Sequence, residues 1–145
     1  MRVYFIYLIE DEFAEYFYGR EYKIVELFKA ERKMKGEQLS ITKKQINHIT
    51  RSLPYFDLHK HLAYSVDSRE IFIKGKVYCS NVNGINEGAE LFIGERWLQL
   101  KAWGSFESET VFFEILRRFD GRFLAIDLEH NHYGWVKPMK ERKYV

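Results

Sequence analysis

Val3-Tyr4-Phe5-Ile6-Tyr7-Leu8-Ile9 is an unbroken apolar run near the start of the chain. Apolar side chains at both parities of a period-2 element predict a strand covered on both faces. The period then lengthens. Glu10-Asp11-Glu12 supplies an N-cap candidate and first-turn carboxylates for a short helix ending at Gly19. A second helix is predicted over Glu21 to Lys35, with Ile24, Leu27, Phe28 and Met34 as its inner stripe and Gly36 just beyond. Thr42-Lys43-Lys44-Gln45 reads as a capping box opening a third helix through about Arg51, and Pro54 enforces the stop.

No element is assigned from Tyr55 to Ser68. Glu70 to Tyr78 predicts a strand, and Asn81 to Gly88 a polar loop. Leu91-Phe92-Ile93 and Trp97 to Trp103 flank Gly94-Glu95, which predicts a two-residue hairpin. A last helix is expected from a Ser105 cap to a stop at Gly121, with Phe112, Ile115, Leu116 and Phe119 as its core stripe. Phe123 to Leu128 predicts another strand and Tyr133 to Val136 an edge strand. With no linker, repeat or low-complexity segment, residues 1–145 read as a single α/β domain: a central mixed β-sheet with packed helices.

One segment is greasier than its fold needs. On a helix at about 100° per residue, Phe13, Ala14, Phe17 and Tyr18 cover an arc of roughly 140°, and Tyr16 widens it to about 200°. A surface helix packs on its own domain with a stripe little wider than about 100°. Either a thick neighbouring element covers the other side, or some of these rings wait for a partner. Aromatic residues reach 17%, high enough that some must lie at the surface.

Composition narrows the classes. The single Cys79 excludes an internal disulfide and a cysteine-based zinc knuckle. The longest apolar run is far short of the ~20 residues of a membrane-spanning helix, and no export signal is visible, so a soluble cytoplasmic protein is expected. A net charge of +2 argues against a dedicated nucleic-acid binder. His59-Lys60-His61 and His130-Asn131-His132 are two His-x-His pairs. On strands each would put both imidazoles on one face and, with Asp57 or Asp127, imitate a zinc site or a two-histidine phosphodiesterase. The Thr or Ser that such a phosphodiesterase carries after each second His is replaced by Leu62 and Tyr133. They are read as loop and strand-end histidines. A metal-dependent hydrolase using these pairs is the rival reading. A small nucleic-acid-binding module, using the second helix and the basic tail from Lys137 to Lys143, is a third. No phosphate loop or nucleophile elbow is present in the sequence. No enzyme activity and no cofactor are expected.

Tyr7-Leu8-Ile9-Glu10-Asp11-Glu12-Phe13-Ala14 with Phe17-Tyr18-Gly19-Arg20-Glu21, Glu109 to Glu114, and Tyr133-Gly134-Trp135-Val136-Lys137-Pro138 with Lys140-Glu141-Arg142 together resemble the sporulation inhibitor of replication family, SirA. The resemblance runs the length of the chain and is poorest from Tyr55 to Leu100. It implies a protein that binds the N-terminal domain of the replication initiator DnaA and stops new rounds of replication when sporulation begins. It also implies a contact face made by the first helix and the Ile41-Thr42-Lys43-Lys44-Gln45-Ile46 helix. The residues expected there are Phe13, Tyr16, Phe17, Arg20 and Gln45. Phe17 stands where some relatives have Tyr, so the apolar contact carries over and a tyrosine hydrogen bond does not. Gln45 keeps a second reading, as the capping-box residue turned back on its own helix.

Overall fold

The computed structural model describes residues 1–66, 71–80 and 86–136. Strand β1 (Arg2–Ile9) is followed by three helices, α1 (Asp11–Tyr16), α2 (Glu21–Lys33) and α3 (Gly36–Ile49). Next come the short β2 (Thr50–Arg51), α4 (Tyr55–Val66), and strands β3 (Ile71–Lys74), β4 (Val77–Ser80), β5 (Gly88–Ile93) and β6 (Leu98–Trp103). Helix α5 (Glu107–Phe119), β7 (Phe123–Asp127) and β8 (His132–Trp135) complete the chain. The strands form one sheet in the order β3-β4-β5-β6-β1-β7-β8, with β2 beside β1. The expected α/β architecture is observed. Every described pairing is antiparallel, which refines the mixed sheet expected.

The alternation of β1 divides the molecule. Tyr4, Ile6 and Leu8 face a core shared with Leu58 and Leu62 of α4 and Phe112, Ile115 and Leu116 of α5. Tyr7 and Ile9 face the other core, with Ala14 of α1, Ile24, Val25 and Phe28 of α2, and Ile46 and Ile49 of α3. β7 does the same: Phe123 and Ala125 enter the first core, Leu124 and Ile126 the second. All five residues of β7 are buried, as a strand between two helical layers must be.

Several boundaries differ from expectation for identifiable reasons. Thr42 is not a cap. It lies inside α3, buried, and its hydroxyl donates to the Gln38 carbonyl at 2.9 Å. That bond to the preceding turn replaces the capping geometry. Gly36, at φ +62°, turns the chain from α2 into α3 in a conformation that costs glycine little. Of the strand predicted from Glu70 to Tyr78, the described residues from Ile71 form a hairpin, since Gly75 takes φ +63° between the paired Lys74 and Val77. In the next hairpin Ile93 pairs with Leu98, so the connection runs over residues 94–97 and not Gly94-Glu95 alone. Ser105 makes no side-chain cap to α5; its carbonyl instead accepts from Ser108 and Arg2. The segment left unassigned is α4, whose first turn is closed by the Leu58 N–H donating to the Pro54 carbonyl. Part of the predicted polar loop, residues 81–85, and the basic tail lie outside the described residues.

Glu109 ties α5 to β1. Its carboxylate, with only 3% of the side chain exposed, accepts from Arg2 Nε at 2.6 Å and from the Tyr4 hydroxyl at 2.8 Å. Burial alone pushes the Glu109 carboxyl up, but the hydrogen bonds from Arg2 and Tyr4 outweigh it and hold the pKa below the ordinary value. Stability from this pair is therefore present above the usual carboxylate range and is lost as pH falls through the depressed pKa. Arg2→Ala leaves a buried carboxylate short of its cation, and breaking such a pair costs about 3–5 kcal/mol. Urea unfolding of both proteins across pH should show that deficit at neutrality, narrowing on acidification. A pH-independent difference would detach the effect from Glu109.

Candidate protein-binding face

Helix α1 follows β1 after a single residue. The backbone N–H of that residue, Glu10, donates to the Ile49 carbonyl at the end of α3 at 2.9 Å, which sets α1 beside α3. Ala14 alone of α1 is fully buried. Phe13 and Phe17 pack only against the edge of the core, while Tyr16 is 57% exposed. The overwide arc read from sequence is thus split three ways, between core, rim and solvent.

The rings form a connected surface. Phe13 and Phe17 stack with centroids 6.4 Å apart, and Tyr16 meets Phe17 edge-on at 4.9 Å. The Arg20 guanidinium lies 4.7 Å from the Tyr16 ring centroid and donates to the Tyr16 carbonyl at 2.6 Å. Arg20 is thereby fixed as a lid on its own turn and holds Tyr16 in place. From α3, His48 reaches the Phe13 ring edge-on at 5.2 Å. Thr42, Ile46 and Ile49 point inward, leaving Ile41, Gln45 and His48 outward at helical i, i+4, i+7 spacing. Gln45 thus stands one turn from His48 and on the same side as Phe13.

Phe13, Tyr16, Phe17 and Arg20 are brought together directly, and Gln45 lies one turn before His48 on the exposed side of α3. Ile41 and His48 also stand on this side, though neither was among the five candidate residues expected from sequence. Their signal was the same 41/45/48 spacing, hidden because a helix started at Thr42 excludes Ile41. Charges rim the patch without one sign dominating: Asp11, Glu12 and Glu15 on α1, Lys43 and Lys44 on α3. Asp11 is ion-paired to Arg122, and Arg51 to Glu10 at 3.5 Å.

The histidine pairs take other places. His59 and His61 lie on helix α4, not on a strand or loop, so they diverge. His59 Nδ1 is 2.8 Å from the Tyr78 hydroxyl, and His61 Nε2 donates to the Ile115 carbonyl at 2.9 Å. Burial pushes the His59 pKa down. His130 Nδ1 sits 2.7 Å from Asp127 Oδ2 in the turn before β8, and His132 opens that strand. Among the described residues no three His, Cys, Asp or Glu side chains gather as a metal site. No helix among them is long and apolar enough to cross a membrane.

The model of the family "Sporulation inhibitor of replication protein SirA" matches residues 2–140. The chain is also 34% identical, over 146 aligned positions covering 99% of both chains, to the sporulation inhibitor of replication protein SirA of Bacillus subtilis (strain 168). The chain belongs to the SirA family. The candidate face is made by α1 and α3, the two helices that flank α2 in sequence, and rests on the core of that sheet face. The family is one of regulatory inhibitors by name.

The position of Gln45 separates a structural role from a surface one. If Gln45 were a capping residue, its loss would cost about 1 kcal/mol. Exposed in mid-helix, Gln45→Ala should leave thermal stability within about 0.5 kcal/mol of wild type. A thermal or urea melt of the variant distinguishes the two values.

Proposed function

We propose that this protein inhibits initiation of DNA replication during sporulation by binding the N-terminal domain of the initiator DnaA through the α1/α3 face. The observation that carries the reading is the ring set on α1, exposed Tyr16 against half-buried Phe17 and Phe13, on the same side as the exposed Gln45 of α3. Membership of a family named for replication inhibition supports it. Large apolar side chains left in water forgo on the order of 1.5–3 kcal/mol each in burial free energy. A partner pocket recovers part of that, and aromatic anchors of this kind dominate interface energetics.

The proposed mechanism is steric. The bound inhibitor covers a surface of the initiator domain needed to assemble or localise initiators at the origin. Such an act needs no cofactor and no bond-making chemistry, and it is proposed to take place in the cytoplasm.

Phe13→Ala and Phe17→Ala should each weaken binding to the isolated initiator domain by roughly 1–4 kcal/mol. Calorimetry gives the affinity and a melt confirms folding. Folded variants that bind like wild type would place the interface elsewhere.

The contact is with the initiator and not directly with DNA. A binder that neutralises several phosphates loses affinity with salt at a slope of about −0.9 per contact. An aromatic-centred interface keeps much of its affinity, because apolar burial is not screened. Side-by-side salt titrations should show initiator binding that persists at physiological salt and negligible origin-DNA binding there. Tight DNA binding that disappears when the chain is trimmed after Pro138 would reverse the assignment.

A further inference from the structure

On the α2 side the helices cover one end of the sheet and leave Phe92 and Trp97 40% and 43% exposed. Where the cover of α2 stops, a cleft of about 220 Å³ opens between helix and sheet. Its aromatic walls are Phe5 and Tyr7 of β1, Phe28 of α2, and Trp97 from the β5–β6 connection. The Tyr7 ring lies 4.4 Å from Phe28 and 6.4 Å from Trp97.

Glu31 and Arg32 stand at the same cleft. The Arg32 guanidinium hangs 5.9 Å from the Phe5 ring centroid and makes no hydrogen bond or ion pair with any described residue. The same holds for the Glu31 carboxylate and the Tyr7 hydroxyl. Burial and then Glu31 push the Tyr7 phenol up to about 12 against the opposing pull of Arg32, so the hydroxyl is a neutral donor at pH 7. An aromatic slot thus carries at its mouth a cation held over the Phe5 ring, an anion, and a hydroxyl, none of them hydrogen-bonded to another described side chain.

We propose that this cleft binds a purine base, with a guanine edge preferred, as a free nucleoside or nucleotide. Size limits the occupant to one ring system, since pockets for drug-sized molecules begin near ~300 Å³. Planar rings stack on aromatic walls without regard to sequence. A purely apolar ring would make no use of Glu31 and Arg32 at the mouth of the cleft. A simple anion would meet Glu31, and a simple cation Arg32. Guanine answers both signs: its O6 and N7 accept from a guanidinium, and its N1–H and amino group donate to a carboxylate. A base within a strand is disfavoured, because strand binders need a basic track for the backbone.

The test is a titration of the full chain with guanosine and with adenosine, followed by amide and indole N–H NMR shifts. Guanosine should give saturable shifts at the Trp97 indole and at residues 5, 7, 28, 31 and 32. It should bind roughly fivefold or more tighter than adenosine, the low end of what a bidentate base contact discriminates. Glu31→Gln and Arg32→Ala, at side chains that make no hydrogen bond or ion pair with a described residue, should each weaken it by a similar factor. Phe13→Ala should leave guanosine binding unchanged, which keeps this site separable from the initiator face. Absence of saturable shifts overturns the proposal. So does equal affinity for guanosine, adenosine and indole that ignores both charge variants, the mark of a plain apolar groove. Tighter binding of a single-stranded oligonucleotide than of guanosine overturns the free-ligand form.

Discussion

Everything in this molecule is hung from β1. Its neighbours are β6 and β7 on either side, with β2 continuing the ladder at its end, so its backbone groups are met by partners from three distant parts of the sequence. Because successive side chains of a strand point to opposite faces, each residue of β1 is committed to one of two cores. A one-residue slip would move Tyr4, Ile6 and Leu8 out from under α4 and α5 and put Tyr7 and Ile9 there instead. Register in β1 is thus enforced from both sides at once, and Glu109 adds a polar lock by holding Arg2 and Tyr4 to α5.

That double commitment is why the ends of the chain were easier to read than its middle. Val3 to Ile9 and Phe123 to Leu128 are apolar at both parities, a pattern few other contexts produce. α5 was legible from Phe112, Ile115, Leu116 and Phe119 at helical spacing. α4 was not, because only Leu58 and Leu62 of it are fully buried. Two positions do not make a period, so the segment carried no assignable pattern. The hairpin at Gly75 was lost in the same way: each arm is too short to show alternation on its own.

The candidate face was half legible. The excess of rings on α1 is a statement about area, and area can be summed from a sequence. Which ring would be surplus depends on the angle between α1 and the sheet, which is set by the Glu10–Ile49 backbone bond and carries no side-chain signature. The mistaken cap at Thr42 shows a related limit. A Thr three residues before a Gln has the same spelling at a helix start as in a helix interior. Only the partner of its hydroxyl, here the Gln38 carbonyl, tells them apart.

The brevity of α1 has a consequence for how its rings are presented. Six residues are too few for a helix to persist alone in water, where even favourable sequences need about 12–15. Its shape is borrowed from the strand before it and from the buried Ala14 beneath it. Ordering of the rings is therefore completed during folding and need not be repeated at each encounter with a partner. Pre-ordered contact residues lower the entropic cost of association, and affinity gained that way shows mainly as slower dissociation. The same dependence makes the proposed binding face indivisible: a peptide copied from α1 and its flanks would carry the rings without the geometry.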